Sequence, residues 1–478
     1  MSQTVRPTGA IAWTPRTSVA NEALVTVVIF AVAAAILVAM YGSALPLLFA
    51  LLLFAPAALC LTLLPNRTSA DMRVFGRSFA IGLLAAGIAS YYAIVLLDPF
   101  QLSSDASSFF ELSSQAGPAR SLQDLQTITE GAGAIVLWSW FYNLAALFGF
   151  PREPYIGILI NVFLVAIAAV VCARSARRLY GDDEYRIRRL ILFFTISGDM
   201  WLLAGVHLRD SVIFLMIALL THAWIVYLSD LKHSRIIVAV LATVIAMPVL
   251  QVMRKEFFYV PLMVAFIAIV CLNFSRGRGD DRFITLVSVV GGLLLLLVAA
   301  VVFGPQIETL LLAGRETYGG AAIADSRSGS LGTALIVQQP LPIRIALGVP
   351  YLYYFPIPFW VGFSDESAIQ LFKSINALSF YPISAFSFAG AFLILRNRQL
   401  RSPAFLFLVL VPLVFSVSIA LTSLETRHLA AFMSLFFLVG LMPDFRNPAE
   451  RGVLRLSLFF TAASMVLVHA AWFTLRYA

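Results

Sequence analysis

The sequence predicts an all-α fold, a polytopic transmembrane helical bundle of about 13 spans. Three observations carry that expectation. Of 478 residues, 60% are hydrophobic and only 12% are charged, against about 45–50% and about 25% in a soluble domain. Apolar runs near the ~20 residues that a bilayer-crossing helix needs recur along the whole chain. Basic residues gather in alternate connections, the pattern that cytoplasmic loops impose. A net charge of +8 would suggest nucleic acid in a soluble protein. Here it reports those basic loops, and no nucleic-acid partner is expected. The three cysteines, Cys60, Cys172 and Cys271, each sit inside an apolar run. That pattern excludes a disulfide-stapled scaffold, and all three are expected to be small buried apolar residues.

The candidate spans, in chain order, are 22–41, 44–64, 78–97, 155–173, 191–207, 210–228, 236–252, 257–273, 284–303, 378–395, 404–421, 429–443 and 455–474. The first follows a polar tail carrying Arg6 and Arg16 and shows no A-x-A-like cleavage site, so it is expected to be retained. With the N-terminus in the cytoplasm, six groups fall inside. They are Arg67, Arg73 and Arg77; Arg174, Arg177, Arg178, Arg186, Arg188 and Arg189; Lys232 and Arg235; Arg276, Arg278 and Arg282; Arg396, Arg398 and Arg401; and Arg446, Arg451 and Arg455. Together with the tail arginines these are 22 of the 33 basic residues.

Two apolar stretches would break this alternation if they crossed. Residues 131–150 are therefore expected to lie as a helix in the outer interface, with Trp138, Trp140 and Tyr142 at headgroup level. Residues 340–362 hold Pro340, Pro342, Pro350, Pro356 and Pro358. A re-entrant or interfacial element is expected there, because such backbone at membrane depth must be buried in protein or line a cavity. The chain then divides into a tail and hairpin (1–77), a transmembrane core with a first outer loop at 98–154 (78–303), an outer loop with the Pro-rich element (304–377) and C-terminal helices (378–478).

Several catalytic signatures are missing: a Walker loop, G-x-G-x-x-G, H-E-x-x-H, C-x-x-C and G-x-S-x-G. The five histidines are scattered, so neither a metal site nor a cofactor is expected. What remains is a set of ionisable residues at the outer side. The first outer loop contributes Asp98, Asp105, Glu111 and Asp124. The later turns contribute Arg209 and Asp210, then Arg254, Lys255 and Glu256, then Glu425, Arg427 and His428. Arg315, Arg327 and Arg344 lie in the segment between 304 and 344.

Charges at span ends are costly unless paired or facing water. A cavity with guanidinium groups beside carboxylates suits a lipid phosphate, whose oxygens match the arginine fork two at a time. Plainer readings stand beside this one. Arg209–Asp210 and Glu425–Arg427 can be simple ion pairs or snorkelling anchors, and Asp105 can cap the helix that follows Ser103 and Ser104. Asp98, Glu111 and Glu256 are expected to be structural. Asp199, mid-span beside Gly198, either faces a cavity or sits neutral in a helix contact.

The order of these features resembles a known family. Asp105-Ala106 to Phe110 forms a D-A-x-x-x-F context just after a span. An apolar helix ending Phe148-Gly149 follows, then a span closing in A-R-R-L-Y-G (Ala176 to Gly181). A hairpin with a polar tip at His207 to Asp210 comes next, and Glu425 to His428 (E-T-R-H) leads the penultimate span. The pattern, over 78–230 and 422–443, resembles the GT-C superfamily of integral-membrane glycosyltransferases and the related bacterial polysaccharide repeat-unit polymerases.

The resemblance implies a sugar donor on a polyprenyl phosphate or diphosphate, a saccharide acceptor, and transfer at the periplasmic face of the bacterial inner membrane. It assigns Asp105 as general base. Arg209, Asp210, Arg254, Lys255, Glu425, Arg427 and His428 become the substrate-binding set, and other polysaccharide-assembly proteins become partners. A transporter or flippase of lipid-linked oligosaccharide is the alternative, and a non-catalytic scaffold or receptor is a third reading.

Overall fold

Where the sequence alternates long apolar runs with short charged connections, the chain forms helices, and the computed structural model contains no strand among its described residues. These are residues 16–63, 68–96, 104–115, 131–276, 336, 339–364, 367–422 and 424–477. Ten helical segments there are long and apolar enough to cross a bilayer. They belong to α1 (Arg16–Tyr41), α2 (Leu45–Leu63), α3 (Ser69–Tyr91, prolonged by a π-helical turn to Leu96), α6 (Pro154–Tyr180), α9 (Asp210–Asp230), α10 (His233–Met253), α11 (Val260–Arg276, entered through a 3-10 turn at Lys255–Tyr259), α13 (Ala368–Arg396), α14 (Pro403–Thr422) and α17 (Pro448–Tyr477). The expected span at 284–303 lies outside the described residues.

Two expected spans are not continuous helices. Residues 191–207 divide into α7 (Glu184–Ile196) and α8 (Gly198–Gly205). The break is made at Ser197, whose extended backbone ends one helix and caps the next. Helix starts leave backbone N–H groups without intrahelical acceptors, and here α13 supplies them. Asp199 N–H donates to Asn376 Oδ1 at 3.1 Å, and Gly198 N–H to Ser379 Oγ at 3.4 Å. Residues 429–443 likewise divide into α15 (Thr426–Ala430) and α16 (Met433–Gly440). The end of α16 is clasped by the buried Arg189, which donates to the carbonyls of Gly440 and Pro443 at 3.2 and 2.7 Å.

The packing is centred on α6, the most buried of the long helices, which lies against α3, α8 and α9. The outermost segments, α1 and α17, keep most of their apolar surface exposed, as helices facing lipid do. Cys172 and Cys271 are buried as expected, but Cys60 is exposed on α2; an apolar thiol loses nothing by facing hydrocarbon instead of core.

The short helices α4 (Ser104–Gln115) and α5 (Ala132–Leu147) pack on one another. The expected headgroup belt on α5 is corrected here. Only Trp140 is outward, at 67% exposure, whereas Trp138 and Tyr142 are buried at 0% and 1%. Helical periodicity decides this. Ile135, Trp138, Tyr142 and Ala145 form one buried stripe, while Trp140, Leu144 and Leu147 occupy the opposite one. In the Pro-rich stretch, α12 (Leu341–Tyr354) runs to an irregular turn around Pro356 and Pro358 and packs on α14. Its Arg344 is buried and donates to the carbonyls of Ala420 and Thr422, closing the C-terminus of α14.

The two ends of the bundle differ in chemistry. One holds an arginine-rich lattice in which Arg174 and Arg177 bind Asp71, Arg178 and Arg235 share Asp230, and Arg186 and Arg446 share Asp183. Arg73 and Arg188 share Glu22 and Glu184 at the same end. The other end carries the residues described next.

Candidate functional site

Asp105 occupies the first turn of α4, where the helix dipole favours a carboxylate. Its side chain is about half exposed, and Oδ2 accepts a hydrogen bond from Arg427 Nη1 at 3.2 Å, bridging residues 322 apart in sequence. Arg427 stands on α15, the short helix that precedes the break before α16. Its Nε lies 4.0 Å from Glu425 Oε1. The expected Glu425–Arg427 pair is therefore the looser contact, since Glu425 is bound more closely to Lys373 Nζ of α13, at 3.0 Å. Lys373 in turn sits 5.6 Å from the ring centre of Phe355 in the Pro-rich segment.

Arg209 and Asp210 begin α9, and Asp210 is buried. The Arg209 guanidinium lies 5.6 Å from the ring centre of Phe109, one helical turn along from Asp105. Gly131, at φ +92°, lets the backbone come close, since a Cβ there would meet Arg209 Nη1 at 2.6 Å. Arg254 is buried between α10 and the 3-10 turn, 5.7 Å from the ring centre of Phe257. Its Nη1 has no hydrogen-bond partner among the described residues, and neither has Arg427 Nε. His428 packs edge-on against Phe257 at 6.2 Å.

The structure thus brings together Asp105, Arg209, Asp210, Arg254, Glu425, Arg427 and His428 of the expected set. Lys255 and Glu256 are exposed on the 3-10 turn, and Lys255 forms no ion pair among the described residues. Glu111 is exposed on α4. Asp98, Asp124, Arg315 and Arg327 lie outside the described residues.

Sequence reasoning missed three participants. Lys373 is a lone cation in a polar run ahead of a span, and only its spatial partner gives it meaning. Asn161 was legible as the single amide in the apolar run of α6. It is fully buried, and its Nδ2 donates to the carbonyls of Val206 and Leu208 at 2.8 and 3.0 Å, while Oδ1 accepts from Ser211 Oγ at 2.6 Å. These three bonds fasten the turn that presents Arg209 and Asp210. The third is Tyr142, whose hydroxyl meets His207 Nε2 at 3.2 Å, with the Trp138 ring centre 4.2 Å from that of the imidazole and tilted 40° to it.

Electrostatics favour an anion here. Four cations (Arg209, Arg254, Lys373 and Arg427) face three carboxylates (Asp105, Asp210 and Glu425). Removal from water would raise the Glu425 carboxyl, yet Lys373, Arg427 and Arg254 hold it below the ordinary carboxylate range. Removal from water, and then the charges of Arg254, Arg427, Arg209 and Lys373, push the His428 imidazole well below its usual value. Among the described residues no group of three or more His, Cys, Asp or Glu side chains could hold a metal ion.

The neutral imidazole has a measurable consequence. An unfolded His428 takes up a proton near pH ~6.5, whereas the folded one does so only far below. Between those values the unfolded state binds more protons, so stability is complete above about pH 6.5 and falls as pH drops beneath it. Melting in detergent should show Tm declining from about pH 7 to about pH 5, with a shallower decline for His428→Gln. Parallel curves for the two proteins would remove His428 from this role.

A scan against models of known protein families gave no match, and neither did comparison with curated proteins or with solved structures.

Proposed function

We propose that the chain is a glycosyltransferase or polysaccharide polymerase of the bacterial inner membrane. It transfers sugar from a polyprenyl-phosphate- or diphosphate-linked donor to a saccharide acceptor at the periplasmic face, with the N-terminus cytoplasmic. The observation that carries the reading is the convergence at one end of the bundle of an accessible carboxylate, Asp105, with cations from four separate segments. In this mechanism Asp105 accepts the proton of the acceptor hydroxyl as that oxygen attacks the anomeric carbon. The bond from that carbon to the phosphate oxygen breaks, and Arg209, Arg254 and Arg427 stabilise the charge left on the phosphate. The Arg427 contact orients the Asp105 carboxylate before the acceptor arrives, and the Pro-rich turn forms part of the lipid-side wall.

A second reading, a flippase or transporter of lipid-linked oligosaccharide, is favoured by one observation. Discontinuous helices with buried polar groups are a hallmark of transporters, and the break at Ser197 places the buried Asp199 beside Asn376 of α13.

A deletion strain separates the two readings. Under the first, lipid-linked precursor builds up at the periplasmic face and surface polymer is lost; under the second, precursor stays at the cytoplasmic face. An unchanged envelope profile would leave only a scaffold. In purified protein, Arg209→Ala and Arg427→Ala should each weaken donor binding about tenfold or more, the worth of a charge-assisted contact. Unaltered donor affinity in both would sink the phosphate site.

A further inference from the structure

At the arginine-rich end, far along the bundle from Asp105, a cavity of about 240 Å³ opens among α1, α2, α3 and α7, lined by Glu22, Thr26, Phe54, Met72, Arg73 and Arg77 among others. Its wall has two characters. The outer side is apolar and continuous with the exposed face of α1, where Val27 is 64% exposed. Two of the residues that line it, Arg73 and Arg77, carry guanidinium groups in unlike states.

Arg73 is paired with acids through both terminal nitrogens, while its buried Nε has no hydrogen-bond partner among the described residues. Nη1 and Nη2 each donate to Glu184 at 2.6 Å, and Nη1 also reaches Glu22 at 2.9 Å. Arg77, only 8% exposed, is bound instead by neutral acceptors. Nε donates to Thr26 Oγ1 and Nη2 to the Glu22 carbonyl, both at 2.9 Å, and Arg77 forms no ion pair among the described residues. The neighbouring carboxylates are already taken, because Glu22 and Glu184 are shared between Arg73 and Arg188. Three arginines therefore face two carboxylates. Glu22 acts on Arg77 only through space and not as an ion pair, so a guanidinium buried this deeply gains from an anion that completes it.

We propose that this cavity binds the phosphate of an anionic phospholipid drawn from the bilayer leaflet at that end. Arg77 is the principal ligand, and an acyl chain lies against Phe54, Met72 and the exposed face of α1. Basic pockets between membrane helices suit such head groups. The apolar outer wall selects a lipid over a free anion, since only a lipid buries that wall.

Full-length protein, purified and delipidated in detergent, would be titrated with phosphatidylglycerol, phosphatidylcholine or inorganic phosphate. Binding would be read by native mass spectrometry and by Tm. Phosphatidylglycerol should bind and raise Tm, and the other two should not. Arg77→Gln should weaken phosphatidylglycerol binding about tenfold or more. Gly76→Leu tests the same site with every charge retained. A Cβ at Gly76 has its nearest neighbour, a Thr26 methyl, 4.0 Å away, so the larger side chain fills the cavity and should block the lipid even if Arg77→Gln fails to fold. Equal stabilisation by inorganic phosphate would assign the site to a free anion. Equal binding of both lipids would reduce it to general lipid contact, and unchanged binding in both variants would place the lipid elsewhere. Each of these three results overturns the proposal.

Discussion

Asp105→Asn should lower turnover of a polyprenyl-diphosphate sugar donor by about a hundredfold or more, the usual contribution of a positioned general base, while donor KM stays near that of the wild type. The substitution isolates the base. Asparagine has the same shape and keeps an oxygen able to accept from Arg427, so the 3.2 Å contact that ties α4 to α15 can persist. The side chain is about half exposed, and substitutions at such positions rarely alter stability by more than about 0.5 kcal/mol. A loss of kcat with unchanged Tm is then chemical in origin. Arg427→Ala should separate from it by raising donor KM, since its guanidinium acts on the phosphate. The measurement is single-turnover transfer in proteoliposomes, with both variants also tested for restoration of surface polysaccharide in a deletion strain. Normal transfer by Asp105→Asn would reduce the Asp105–Arg427 pair to a brace between helices.

Composition and charge alternation made the architecture legible because both are imposed by the bilayer and are local in sequence. A run such as 155–173 needs no partner to be read as α6, and the arginine groups at 73–77 and 174–189 do assemble at one end. The breaks in 191–207 and 429–443 were not legible, because apolar periodicity continues through them. Ser197 interrupts its helix because Asn376 and Ser379, some 180 residues later, satisfy the freed N–H groups. At the candidate site the same division holds. Asp105, Arg209 and Arg427 stood out as charges in places where charge is costly. Their partners could not be read, because the closest ion pairs, Asp105–Arg427 and Lys373–Glu425, join segments 322 and 52 residues apart. The error at Trp138 and Tyr142 has a related cause. An aromatic-rich helix fits an interface and a core equally well until the neighbouring elements, here α4, α6 and α10, decide which face is covered.

Gly198→Ala is expected to destabilise the protein strongly. At Gly198 the chain leaves α7, starts α8 and crosses α13 with backbone nearly touching backbone. An added Cβ would sit 2.2 Å from Asn376 N, 2.3 Å from Phe372 O and 2.6 Å from Asn376 Cα. These are main-chain atoms of a long helix, so no rotamer change relieves them, and α8 must move as a unit. Overpacking of this kind costs about 3 kcal/mol or more when the neighbours cannot yield. The displacement would also pull Asp199 from Asn376 and disturb the segment of α13 that holds Lys373 against Glu425. Donor binding should therefore fail together with the fold, unlike the selective loss in Asp105→Asn. Gly452→Ala is the control, because a Cβ there meets nothing within 4 Å and an exposed α17 accepts alanine readily. Thermal unfolding of both variants in one detergent gives the comparison. A Gly198→Ala protein that melts with the wild type would show that α8 is free to shift, and the break at Ser197 would then belong to a moving element rather than to a fixed brace.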